Sequence, residues 1–166
     1  MAEVSTRTTA QVSGQKAANT IRWIALITAV AGVVLIVAGI TTWGVVQNQL
    51  GDEKITVSDD AARFAGEPVD GPLTAYQQAE VIEKHAREAA EGKTYAQLER
   101  EDPRRETVMT GSFLRASLFV SVLSFGVSAM AIGLGVVLVL VGVALRRVTA
   151  LLPVVAGAPA VESTNT

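Results

Sequence analysis

Cysteine is absent from this 166-residue chain, and histidine occurs once, as His85. Without cysteine there is no disulfide framework and no thiolate metal site. A lone histidine, even with Glu88 one turn on, falls short of the ligand set that a structural or catalytic zinc takes. Glu83, Glu88 and Glu91 read as a solvated helix face, with Lys84 and Arg87 as counter-charges. Asp52, Glu53, Asp59, Asp60 and Asp70 form an acidic cluster whose spacing does not fit the calcium loop. Nucleophile elbow, phosphate-binding loop and dinucleotide fingerprint are all missing. So is a basic face with interleaved aromatics, which sets nucleic acid aside as a partner. Neither a catalytic residue nor a cofactor is expected.

Charge is also missing from two long runs. Ser117 to Leu145 holds 29 residues without Asp, Glu, Lys, Arg or His and closes on Arg146-Arg147. A hydrocarbon core of about 30 Å needs roughly 20 helical residues, so this run spans one with length to spare. The other run, Trp23 to Val46, contains twelve Ile, Leu and Val residues. Each favours insertion by roughly 0.3–0.6 kcal/mol near the bilayer centre. Trp23 and Trp43 lie near its ends, where indole rings prefer the interface. It is too long for the apolar region of a typical signal peptide and has no close small-x-small cleavage site, so a retained anchor is expected. Ion and proton pathways usually carry an intramembrane ionisable residue, and neither run has one.

Both runs carry small side chains along one helical stripe. In the first these are Ala25, Thr28, Gly32, Gly39 and Thr42, interrupted by Leu35. In the second they are Ser117, Ser121, Ser124, Ser128, Ala131, Gly135 and Gly142, interrupted by Leu138. Such stripes let two backbones approach closely, and the serine hydroxyls are expected to bond across the contact.

Between the runs the chain is acidic, with 14 acidic against 9 basic residues from Gln47 to Ala116. Lys54-Ile55-Thr56-Val57 alternates like a short strand. Thr74-x-x-Gln77 fits a capping box opening a helix, with Tyr76, Ala79, Ile82, Ala86 and Ala89 on one face and Gly92 just past its end. Thr94-x-x-Gln97 repeats the signature for a shorter helix, which Asp102-Pro103 should end. Leu, Ile, Val and Phe number only 12 of the 70 residues, so burying these faces calls for help from the flanking helices or a partner.

A resemblance enters through Lys54-Ile-Thr-Val-Ser-Asp-Asp-Ala61, Val69-Asp-Gly-Pro-Leu-Thr-Ala-Tyr76, Gly92-Lys-Thr-Tyr95 and Arg100-Glu-Asp-Pro-Arg-Arg-Glu-Thr-Val-Met-Thr110. These stretches resemble a family of small two-span actinobacterial membrane proteins often labelled "aromatic ring-opening dioxygenase LigA". The likeness covers about residues 43–147 and implies a two-span membrane protein. The label's chemistry, in its two-histidine, one-carboxylate iron form, needs a second histidine that this chain does not have.

The expected fold is therefore an all-α membrane protein, a two-helix transmembrane hairpin in the cell membrane with a partly helical extracytoplasmic segment. Residues 22–46 and 117–145 are the spans and 47–116 the outer segment. Residues 1–21 and 146–166 are cytoplasmic tails, with 1–21 and 148–166 read as disordered. Lys16, Arg22, Arg146 and Arg147 favour that orientation by the positive-inside bias. The expected partners are the lipid bilayer and either another membrane protein or a second copy. The role is structural or accessory; the alternatives are a dioxygenase subunit and an accessory subunit of a transporter or channel.

Overall fold

The computed structural model describes residues 2–156, with side chains from 18 to 150. Its helices are α1 (Ala2–Asp52), α2 (Pro72–Ala89) and α3 (Arg104–Ala156), with a 3-10 turn, Tyr95–Gln97, before α3. α1 over Ala18–Asp52 and α3 over Arg104–Ala150 are long and apolar enough to cross a membrane. Only 17% of the most apolar stretch of each is buried. The core helix of a water-soluble protein would be mostly buried; here Ile27, Val30, Leu123, Met130 and Leu140 all face outward.

Several local expectations are corrected. α1 begins at Ala2, inside the segment read as disordered, and α3 continues to Ala156. Extending a nucleated helix fixes one residue per new hydrogen bond, so the proline-free stretch before the first apolar run follows the helix beside it. Residues 157–166 of the second tail lie outside the described residues. The strand over Lys54–Val57 reduces to a single antiparallel bridge, Thr56 to Pro68. Pro68 has no N–H to extend the ladder.

α2 starts three residues earlier than the capping pattern suggested. Its N-cap is Gly71, with Pro72 in the first helical position that proline favours. Thr74 is the third helical residue. It still satisfies the helix start, accepting from the Gly71 N–H at 3.2 Å and donating to the Gly71 carbonyl at 3.1 Å. At the other end Glu91 and Gly92 both take positive φ, 53° and 79°, and the Gly92 N–H reaches the Arg87 carbonyl at 2.7 Å. Glycine carries no steric penalty there.

Thr94 and Gln97 pair as expected, the Thr94 N–H donating to Gln97 Oε1 at 2.9 Å, but they close only the 3-10 turn. Asp102-Pro103 opens α3 instead of ending a helix: Asp102 Oδ1 accepts the Arg104 N–H at 2.9 Å.

The chain divides into two compact units. The central unit is Ala38–Ala131; the terminal unit is what the structure describes of Met1–Val37 and Ile132–Thr166. In the central unit the largest buried cluster is Leu50, Val57, Val69, Ala75, Ala79, Leu118 and Phe125. Val57 and Val69 come from the bridge loop, Ala75 and Ala79 from α2, Leu50 from α1, and Leu118 and Phe125 from α3. The acidic segment thus fills its core with side chains from both long helices. Trp43 meets Phe125 edge-on, with ring centroids 4.7 Å apart. α2 buries Thr74, Ala75, Gln78, Ala79 and Val81, a face rotated from the expected one. Tyr76 and Ala89 are exposed, although the Tyr76 ring still reaches Phe119 at 5.8 Å. Gln78 explains the rotation in part: its Oε1 accepts the Ser58 N–H at 2.9 Å, tying α2 to the bridge loop.

Truncating a fully buried phenylalanine generally costs about 3–5 kcal/mol. Phe125→Ala should therefore raise amide exchange across Ile55–Val69 and α2, while Gly126→Ala, whose new carbon meets nothing within 4 Å, should leave it unchanged. Equal protection in the two variants would show that Phe125 does not hold the loop and α2 in place.

Candidate functional site

In the terminal unit α1 and α3 touch through glycine. A β-carbon on Gly32 would lie 2.5 Å from the Gly135 carbonyl oxygen, and one on Gly135 equally close to the Gly32 oxygen. A β-carbon on Gly142 would meet the Ala25 oxygen at 2.7 Å and the Ala29 β-carbon at 2.9 Å. The contacts descend along α3 as they ascend along α1, so the two segments run antiparallel there. The buried positions Ala25 and Gly32 on α1, and Gly135, Gly142 and Thr149 on α3, recur every seventh residue. Such a repeat belongs to helices that stay in contact by a slight left-handed coil.

The remaining stripe residues divide. Thr28 is half-buried in the terminal unit. In the central unit Gly39 and Ser128 are buried, and Ser121, Ser124 and Ala131 are half-buried. Thr42 and Ser117 are exposed. Their neighbours Trp43 and Leu118 turn inward instead, toward the core of the central unit. The serine hydroxyls do not reach across to another helix. Ser121, Ser124 and Ser128 donate to the carbonyls of Ser117, Val120 and Ser124 at 3.3, 2.8 and 2.8 Å. This satisfies each hydroxyl within its own helix.

The polar surface of the central unit is organised by charge pairs between segments. Asp60 Oδ2 receives Lys84 Nζ at 2.8 Å and lies 3.0 Å from His85 Nε2. His85 thus pairs with a bridge-loop carboxylate 25 positions away, and no local pattern announced that partner. Arg115 reaches Glu83 at 2.5 Å and stacks over Phe119 at 4.9 Å. Its Nε is buried without a hydrogen-bond partner. Arg104 bridges Asp102 at 2.7 Å and Glu91 at 3.0 Å. α2 and α3 pack tightly where a β-carbon on Gly111 would lie 2.8 Å from that of Ala86. An open groove of about 600 Å³ lies beside this contact, lined by Ile82, His85, Ala89, Thr107, Thr110 and Leu114 among others.

Among the described residues no three His, Cys, Asp or Glu side chains sit together as a metal site. Asp60 and Asp102 are both held at about 2, below their ordinary 3.8. For Asp60 the leading cause is the Lys84 hydrogen bond, followed by that from His85. For Asp102 it is the Arg104 side chain and then its backbone N–H. The same contacts raise Lys84 and Arg104.

No protein-family model matches the chain, and neither does any curated protein or solved structure.

Two measurements test these contacts. Alanine is the better helix former, so Gly133→Ala, which meets nothing within 4 Å, should hold or slightly raise the melting temperature in detergent. Gly135→Ala should lower it, since overpacking costs about 1–3 kcal/mol. A Gly135→Ala protein as stable as the parent would mean the backbones are not in contact.

The second follows the Asp102–Arg104 pair with pH. A carboxylate depressed in the folded state adds stability above its unfolded value near 3.8, and that stability is lost as pH falls through about 2. The Arg104 Nε–H resonance should shift with a midpoint near 2. A midpoint near 3.8 would show that the pair does not form.

Proposed function

We propose that this protein is a two-span helical hairpin of the cell membrane with both termini cytoplasmic, whose acidic segment presents an interaction surface outside. The observation carrying this reading is the outward apolar surface of α1 and α3. Exposed side chains run from Trp23 through Val37 on α1 and from Val120 through Val143 on α3. In water so large an apolar surface would drive association, whereas in lipid it is at its lowest free energy.

The role is structural or accessory. Thr56–Pro68, α2 and the first turns of α3 form a folded body whose outer face carries Asp60, Lys84, His85, Glu88 and Arg87 in fixed positions. A rigid, charged surface without an assembled nucleophile or metal set suits recognition better than catalysis. The partner is another envelope protein or a second copy of the chain. The resemblance to two-span membrane proteins agrees with this reading, while no specific observation favours a dioxygenase or transporter subunit.

Orientation follows from Lys16, Arg22, Arg146 and Arg147 beside the cytoplasmic ends of the spans. In this cysteine-free chain, Asp59→Cys should react with a membrane-impermeant thiol reagent in intact cells, and Ser13→Cys only after lysis. The reverse pattern would invert the topology. Labelling of both positions in intact cells, with extraction of the protein by alkaline carbonate, would remove the membrane reading altogether.

A further inference from the structure

In the terminal unit, Arg22, Trp23 and Leu26 of α1 and Arg146, Thr149 and Ala150 of α3 line one open groove of about 340 Å³. The two backbones are in contact one turn further along, at Ala25 and Gly142. Beyond that contact the groove opens beside the buried Thr149.

Arg22 is the last charge before the first apolar run, and Arg146 the first after the second run. Each is the charged residue nearest its own apolar stretch, and they come from different helices. Among the described residues neither has an ion-pair partner, whereas Arg87, Arg104 and Arg115 each have one or more. A guanidinium stays protonated at any physiological pH, so the groove carries two uncompensated positive charges. The Thr149 hydroxyl is already committed to the Leu145 and Arg146 carbonyls, at 3.1 and 2.9 Å. The charged donors in the groove are therefore the two guanidinium groups.

The walls are of a different kind. Trp23 is 63% exposed and Leu26 42%, and outward apolar side chains continue along α1 through Ile27 and Val30. A ligand that meets all of this has a compact anionic head and an apolar body extending along the helices.

We infer that this groove binds the phosphate head of an anionic phospholipid, Arg22 and Arg146 gripping the phosphate while the acyl chains lie along Leu26 and Ile27. The inference rests on the reading that α1 and α3 cross a membrane. Guanidinium forks match phosphate oxygens in pairs, and basic pockets between membrane helices take anionic head groups. A free phosphate ion would use the arginines but gain nothing from Trp23 and Leu26.

The test is native mass spectrometry of the full chain released from nanodiscs of phosphatidylcholine with and without phosphatidylglycerol. The parent should retain phosphatidylglycerol in clear preference. Arg146→Gln should reduce that retention about fivefold, the equilibrium effect of one membrane-surface charge. Arg22→Gln should do the same, and the double variant should abolish the preference. Arg147→Gln removes an equal charge one residue outside the groove and should change retention clearly less than Arg146→Gln does. Equal losses from Arg146→Gln and Arg147→Gln would mean diffuse attraction and overturn the inference, as would equal retention of both lipids by the parent. Displacement of the lipid by inorganic phosphate alone would also overturn it, assigning the arginines to a soluble anion. A chain that fails to enter nanodiscs sinks the membrane reading instead, and a chain that enters without lipid preference sinks only this inference.

Discussion

Two helices that are apolar on every side have no hydrophobic reason to touch in a lipid-like medium, so their contact depends on how near their backbones come. Gly32 against Gly135, and Ala25 against Gly142, supply that approach in the terminal unit. Carbonyl oxygens there sit where a β-carbon would otherwise be. Each dispersion contact is worth only about 0.1–0.2 kcal/mol, and close approach multiplies their number. The hydroxyls add nothing across the interface, because Ser121, Ser124 and Ser128 are each satisfied by their own helix. Packing here is a matter of shape more than of polar pairing.

The central unit faces the opposite difficulty. Its acidic segment has too few large apolar side chains to make a core, and the structure solves this by borrowing. Leu50 from α1 and Leu118 and Phe125 from α3 complete a cluster that Val57, Val69, Ala75 and Ala79 alone would leave thin. Trp43 and Phe119 close its margin. The bridge loop is then pinned to α2 twice, through Ser58 and Gln78 and through Asp60 with Lys84 and His85. The exposed pair adds little stability in water, so the Gln78 bond and the buried valines carry most of that attachment.

Much of this was readable from local pattern, and the misses have physical causes. A capping pair such as Thr94 and Gln97 is a contact between near neighbours, and it forms. Thr74 was also a correct signal for a helix start, but Pro72 moved that start to Gly71, since proline presets the first helical residue. Asp102-Pro103 was ambiguous by nature: proline ends a helix before it and begins one after it equally well, and here it begins α3. Along the small-residue stripe Ala25, Gly32, Gly135 and Gly142 are buried, while Thr42 and Ser117 are exposed. Spacings of three and four leave the choice between adjacent positions open, and Trp43 and Leu118 take the inward places because a real core is available to receive them.

The sequence by itself determined the two long apolar helices and the charged segment between them. Those properties depend on composition and on intervals of a few residues, which survive without knowledge of the fold. Only the tertiary structure decided the rest. It chose which face of α2 is buried, joined Asp60 to His85 across 25 residues, and drew Leu118 and Phe125 into a core with Val57 and Val69. It also brought Arg22 and Arg146 to one groove from opposite ends of the chain. Contacts between distant positions leave no periodic trace, because each requires two segments to be placed in register, and that register comes from packing.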